Sequence, residues 1–351
     1  MPELNLSFDL PASEILAASP ERFAQIRRAG VETLYVQGWF FGKYEDDPER
    51  ISRAGRRVRE EGFRTGVINV PFGHGGNAVN PDDPNFDLSI GDGWRPTFDA
   101  EGRLRPNTTC PDATVAADTL AANRAFAQMG FDAVFHDDDL RLGSWGPQIQ
   151  GCFCERCMAE FRALCGRNVS RAEIVSGRDE ALTELWYGYQ CGKIRDFLLA
   201  GTPEGMSVGI MVMHNGDRRH GIDIPLLCAA LPGLRVRVGE GHFDDRTFTD
   251  EKGRASLIRS IRRHMALTGD PGLCWSETTC YPKYALSPDN LVEKMRVEIR
   301  CGLRNLFLMS GQWFFPEEYW RAVEQALPEL RDLARSTPLP PPEKPEFTWD
   351  W

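Results

Sequence analysis

The chain has 351 residues, 42% hydrophobic and 26% charged, with a formal net charge of -10 and a pI near 5.3. That composition supports a full apolar core and argues against a disordered chain. The acidic balance argues against nucleic acid as a partner, because phosphate backbones are bound by clustered Lys and Arg.

The start, MPELNLSFDLPASEIL, has no basic segment followed by an apolar run. No stretch reaches the roughly 18 apolar residues of a membrane span. A soluble, cytoplasmic protein with no membrane partner is expected.

Short β-rich runs then alternate with amphipathic helical stretches. LNLSFDL (4–10) is followed by SPERFAQIRRAG, VETLYVQGW (31–39) by PERISRAGRRVREEG, and FRTGVINVPFGH (63–74), after a long loop, by PDATVAADTLAANRAFAQMG. FDAVFHDDD (131–139) precedes a cysteine-rich stretch and a helical region to about 200, and MSVGIMVMH (206–214) precedes IDIPLLCAALPG. LRVRVGEGHF (234–243), GLCWSETTCY (272–281) and LRNLFLMSG (303–311) each lead into a further helical stretch. Eight strand-then-helix units, with Ser-Pro or Asp at helix starts, predict parallel crossovers closing into a (β/α)8 TIM barrel, an α/β fold spanning 1–335. An open doubly wound sheet would carry a Gly-rich phosphate turn after an early strand, and none is present.

Two segments depart from the repeat. Residues 75–112 are far longer than an ordinary βα loop; RPTFDAEGRLRP inside them reads as a hairpin, and the whole is expected to cover the top of the barrel. The tail 336–351 is too rich in proline for helix or central strand and reads as an extended arm.

Chemistry in such a barrel sits at the C-terminal ends of the strands. Those ends carry Asp9, Gln37 and Trp39, His74, the run Asp137-Asp138-Asp139, His214 and Asn215, Glu240 and His242, Glu277, and Gln312 and Trp313. Glu277 is a lone acid delivered by an apolar strand, which is costly to bury without a paired role. In the triple Asp, neighbouring residues point to opposite faces, and mutual repulsion tends to raise the proton affinity of one of them. A carboxyl on strand four opposite another on strand seven is the arrangement that glycosidic cleavage requires, one protonating the leaving oxygen and the other attacking carbon or activating water. Indole faces stack on sugar rings, so Trp39 and Trp313 are expected to bind a carbohydrate substrate with His74, His214, Asn215 and Glu240.

Cys152, Cys154 and Cys157, in GCFCERCMAEF, stand at C-x-C-x2-C spacing, three ligands of a tetrahedral zinc site, with Cys110 as the expected fourth. Such a closed site would be structural and would staple the long third loop to the loop after strand four. Free thiols in a reducing compartment are the other reading. Of the other six cysteines, those at 165, 191, 228 and 301 fall on helix-like segments and read as small buried side chains.

The stretch GCFCERCMAEFRALCG after a strand-four acidic cluster, with an upstream Cys110, resembles the β-galactosidases of glycoside hydrolase family 42, some of which bind a structural zinc through one cysteine plus a C-x-C-x2-C cluster. More widely, carboxylates ending strands four and seven are similar to the clan A glycoside hydrolases. The resemblance covers the barrel only. It implies an acid/base carboxylate at Asp139, where the family's Asp-Asn-Glu falls on Asp137-Asp138-Asp139, and a nucleophile at Glu277. The change from Glu to Asp shortens the acid by one methylene, which leaves Asp138, Glu240 and Asp217 as alternatives. A glycoside hydrolase needing no catalytic cofactor is therefore expected. The rivals are a metal-dependent sugar isomerase or epimerase built on His214, Glu240, His242, Glu277 and one Asp, and a non-catalytic carbohydrate-binding barrel. A homo-oligomer is left open.

Overall fold

The computed structural model describes residues 3–73, 89–137, 140–144 and 146–339. Eight parallel strands form the central sheet: β1 (Asn5–Leu10), β2 (Val31–Phe40), β3 (Arg64–Val70), β4 (Ala133–His136), β5 (Ser207–Met211), β6 (Arg235–Arg237), β7 (Cys274–Trp275, resumed after a break by Thr278–Thr279) and β8 (Asn305–Met309). Each pairs in parallel with the next. β8 returns to β1 in register from Asn5↔Asn305 to Phe8↔Leu308, which closes the barrel.

One main helix follows each strand: α1 (Pro20–Arg28), α2 (Pro48–Glu60), α3 (Ala113–Gln128), α4 (Glu180–Gly201), α5 (Ile224–Ala230), α6 (Glu251–Thr268), α7 (Pro288–Arg300) and α8 (Glu317–Ser336). Their starts follow from local chemistry. Asp47, Asp112, Asp179, Asp223 and Asp250 each accept hydrogen bonds from backbone N–H groups of the first turn they cap, and α1, α2 and α7 carry Pro where a missing N–H costs nothing. The expected (β/α)8 barrel is the observed fold. Several strands are shorter than their apolar runs, because residues at their C-terminal ends leave the ladder for side-chain hydrogen bonds.

Odd-numbered residues of most strands point into the barrel. Tyr35, Ile68, Ala133, Phe135, Met211, Phe307 and Met309 form its inner core, with Tyr35 and Phe307 centroids 4.9 Å apart. Two glycines make room for these rings: a Cβ on Gly209 would lie 2.1 Å from Phe135, and one on Gly66 would lie 2.5 Å from Tyr35. Above this plug the inward positions turn polar, and that boundary is the floor of the mouth.

Between β4 and α4 the chain builds a separate small core from Phe153, Met158, Phe161, Ile174, Leu182 and Trp186, with Phe153 stacked on Trp186 at 4.5 Å. Burial of each large side chain is worth about 1.5–3 kcal/mol, enough to hold a segment that has no place in the barrel. The predicted hairpin is present as antiparallel arms Pro96–Phe98 and Leu104–Thr109, and it docks here: Phe153 N–H donates to the Phe98 carbonyl at 2.9 Å. No helix among the described residues is long and apolar enough to cross a membrane.

Candidate active site and cysteine cluster

Backbone strain marks the mouth. Among the described residues, the non-glycine positions with φ in the left-handed region are Phe41, Leu140, Asn215, His242 and Tyr284, and all lie in loops that leave the C-terminal ends of β2, β4, β5, β6 and β7. Strained residues persist where the surroundings over-determine them, which is typical of functional sites.

Glu277 stands at the break in β7, directed inward and 3% exposed. Its Oε1 accepts from Arg237 Nη1 at 2.5 Å, and its Oε2 accepts the backbone N–H groups of Glu240 at 2.5 Å and Gly241 at 2.9 Å. Arg237, the last residue of β6, donates through its other terminal nitrogen to Asp137 Oδ1 at 3.3 Å. One guanidinium thus touches the acids that follow β4 and β7. Planar, charge-assisted contacts of this kind fix orientation as well as charge.

Asp9, at the end of β1, is a further member of the cluster. It accepts from Gln37 Nε2 at 2.9 Å, and the same amide nitrogen donates to the Gly311 carbonyl. Burial pushes the Asp9 carboxyl up to about 7; the Gln37 hydrogen bond opposes the rise, and the charge of Asp137 adds to it. At neutral pH Asp9 is therefore near half-protonated beside the ionic pair.

His214 and His242 meet edge to face at 5.3 Å, and His214 Nε2 shares a hydrogen bond with Ser256 Oγ at 3.1 Å. Burial holds His214 down to about 4 and also lowers His242, so both rings are neutral at physiological pH. The Asn215 N–H donates to Ser260 Oγ. Glu240 is fully buried, accepting the Glu277 N–H at 2.9 Å and lying 3.5 Å from Lys294 Nζ.

The two tryptophans sit in different settings. A register shift between Gln37 and Trp39 sends Phe40 toward the inner barrel core, while Trp39 packs outward against Tyr44 at 4.9 Å. Trp313 is buried at the rim, with the exposed Tyr284 5.0 Å away and Lys283 over both rings. Gln312, its neighbour in the loop after β8, is half-buried. Asp217 serves local structure: it accepts the Arg219 N–H at 2.8 Å and caps the short turn Arg218–His220. His74, Asp138 and Asp139 lie outside the described residues, as does the tail from 340.

The strand-end reading overlooked Arg237. Its signal was present in LRVRVGEG, where a charged residue alternates with valines and must therefore point into the barrel. Lys294 and Glu298 were also overlooked. They sit four residues apart within the buried stripe of Leu291, Met295 and Ile299 on α7, an unusual place for charge.

The four cysteines singled out by spacing do converge. The sulfurs of Cys110, Cys152, Cys154 and Cys157 all lie within 4.8 Å of one another, all four residues are buried, and Cys110 and Cys157 are 3.3 Å apart. Tetrahedral ligation at about 2.3 Å requires sulfur separations near 3.8 Å, so the residues can hold a metal ion. Cys110 comes from the end of the hairpin, and Cys154 caps the helix Glu155–Cys165. Arg95 links Asp112, the cap of α3, at 2.8 Å to the Cys154 sulfur at 3.7 Å. Among the described residues this is the group of His, Cys, Asp and Glu that is compact enough for a metal.

No family model and no curated protein matches the chain. Among solved structures, it is similar to a GH36 α-galactosidase from Geobacillus stearothermophilus in complex with raffinose, at TM-score 0.49 and 12% identity over 95% of this chain and 42% of that one. It is similar to a GH31 dextranase from Flavobacterium johnsoniae complexed with glucose, at TM-score 0.49 and 12% identity over 95% of this chain and 40% of that one. A fungal β-1,4-galactanase matches at TM-score 0.47 and 11% identity over 92% of this chain and 99% of its own. The chain spans about two fifths of the length of the first two.

Proposed function

We propose that this protein is a glycoside hydrolase in which Glu277 acts as nucleophile or base and a strand-four aspartate is the general acid/base. The observation that carries the reading is the Arg237 bridge, which touches both Glu277 and Asp137 across the mouth. One side chain contacting both brings the start of the 137–139 run to the same guanidinium as Glu277, and a paired mechanism needs carboxyl groups about 5 to 9.5 Å apart.

The surroundings divide the roles. A carboxylate gripped by a guanidinium and two backbone N–H groups has its position and orientation fixed, as an attacking or water-activating group requires. Asp137 is ion-paired with the same arginine; the proton donor is proposed to be Asp139 because the family 42 resemblance puts the acid/base residue there, with Asp138 as the alternative. Trp313 and Tyr284 supply the aromatic rim for a carbohydrate. The metal-centred rival gains nothing from this geometry, since Glu277 spends its oxygens on Arg237 and two amides.

The cysteine cluster is assigned a structural zinc. Four thiolates close a tetrahedral site and leave no position for substrate or water; Cys110, Cys152, Cys154 and Cys157 would hold it, and it would tie the hairpin and α3 to the segment after β4.

The test is a panel of aryl glycosides presented to the wild type, Glu277→Gln and Asp139→Asn. Turnover in the wild type that is lost in both variants supports the assignment. A wild type that binds sugars yet turns over none of the panel would identify a non-catalytic barrel instead.

A further inference from the structure

Between β7 and α7, next to Glu277, three charged side chains are completely buried: Glu240 from the loop after β6, and Lys294 and Glu298 one turn apart on α7. Lys294 Nζ donates to the Gly241 carbonyl at 2.9 Å and lies 3.5 Å from Glu240 Oε2. Glu298 Oε2 accepts from Thr278 Oγ1 at 2.6 Å, and that hydroxyl is 2.6 Å from Ser276 Oγ. Among the described residues two oxygens in this group accept no hydrogen bond, Glu240 Oε2, which has only the Lys294 ammonium at 3.5 Å, and Glu298 Oε1. The two carboxyl groups are coupled, each bearing on the proton affinity of the other.

Two carboxylates facing one ammonium would leave a net negative charge in a dry interior, at a cost of several kcal/mol. One proton held between them gives both orphan oxygens a partner and makes the group neutral. We propose that Glu240 and Glu298 share a single proton and, with Lys294, form a neutral buried unit that positions Glu277. Burial raises the proton affinity of both carboxyls, and the charge of Glu298 raises that of Glu240 further.

The coupling to Glu277 is direct. Glu240 Oε1 takes the Glu277 N–H, Lys294 fixes the Gly241 carbonyl, and the N–H groups of 240 and 241 hold Glu277 Oε2. None of the three side chains reaches the mouth, so they are positioning residues and not catalytic ones. The positioning role rests on the reading of Glu277 as the reacting carboxylate; the shared proton does not.

The experiment compares Glu298→Gln with Glu298→Ala in the full chain. The amide donates to Glu240 and accepts from Thr278, and it leaves one negative and one positive charge, so kcat stays within about twofold of wild type. Alanine removes both contacts, and kcat falls at least about tenfold while KM stays within about twofold. A Gln variant that falls as far as the Ala variant, or an Ala variant that retains kcat, overturns the positioning role.

The proton is counted separately, by urea unfolding of wild type and Glu298→Gln from pH 6 to 8. The folded pair holds a proton that the unfolded glutamates have released in this range, so this stabilisation is full at low pH and is lost as pH rises. The folding constant of wild type relative to the variant should fall about tenfold per pH unit. The other titratable groups facing the unit, Glu277, His214, His242 and Cys301, are common to both proteins and cancel in the ratio. Parallel pH profiles overturn the shared proton. A wild type with no glycosidase turnover removes the catalytic setting but leaves this measurement decisive.

Discussion

Glu240 and Glu277 hold each other in both directions: the N–H of Glu240 donates to Glu277 Oε2 at 2.5 Å, and the N–H of Glu277 donates to Glu240 Oε1 at 2.9 Å. The loop after β6 and the break in β7 are thereby locked together, and the acid's position is set by backbone as well as by side chains. A carboxylate there meets donors at both oxygens, since Arg237 faces the other one.

Glu277→Gln is therefore not a silent isostere. Whichever way the amide is turned, its NH2 faces either a guanidinium or two backbone N–H groups, donor against donor. We expect a loss of about 1–3 kcal/mol of stability, together with a loss of turnover of at least about 10²-fold. Urea unfolding beside aryl-glycoside kinetics checks both. A variant as stable as wild type would show that Arg237 and the amides do not hold the carboxylate.

Arg237→Met should cost about 3–5 kcal/mol, because it removes the cation that faces buried Glu277 and partly buried Asp137. Adding Glu277→Leu to that variant removes one of those acids and should recover part of the loss. The double variant will then be more stable than the sum of the single effects predicts, by an interaction energy of about 0.5–3 kcal/mol. Strict additivity in chemical denaturation would mean that the ion pair contributes nothing.

Asp9 gives stability a pH dependence of known sign. Its folded value, raised to about 7 from an ordinary 3.8, makes the folded state bind the proton more tightly than the unfolded chain does. That stabilisation is complete below about pH 4 and is lost as pH rises through 7, at up to about 1.4 kcal/mol per unit. Asp9→Asn keeps an uncharged side chain beside Gln37 throughout, so it should gain on wild type as pH rises from 5 to 8. Unfolding midpoints that run parallel over this range would contradict a proton-holding Asp9.

The barrel was legible because its signal is periodic and repeated eight times, and a misplaced boundary in one unit leaves the other seven intact. Strand ends were less legible. The run 131–139 reads as one strand, yet among the described residues the ladder covers Ala133–His136. The C-terminal ends carry the polar residues, and those trade ladder bonds for contacts that no local pattern records. The cysteine cluster was readable from spacing, with Cys110 found by its position at the end of the long loop. The Glu240–Lys294–Glu298 unit was not. It joins a loop to a helix more than 50 positions away in sequence, and a charge inside an apolar stripe shows where to look without naming its partner. Trp39 illustrates the remaining gap: a single register shift reverses which side of the strand a ring faces, and nothing in VQGWF beyond its glycine announces it.

The zinc assignment makes a prediction that separates scaffold from chemistry. Cys110 and Cys157 are 47 positions apart, and a cross-link closing a loop of that length is worth about 4 kcal/mol in chain entropy. Protein purified under reducing conditions should carry one zinc per chain by elemental analysis, and Cys110→Ser should lower that content and destabilise the protein by about 4 kcal/mol. Because a closed four-thiolate site offers no open coordination position, kcat of the folded fraction should stay within about twofold of wild type. A variant that keeps its unfolding midpoint but loses kcat would move the thiols from scaffold to reaction. An absence of metal in freshly reduced protein would return them to four buried free cysteines.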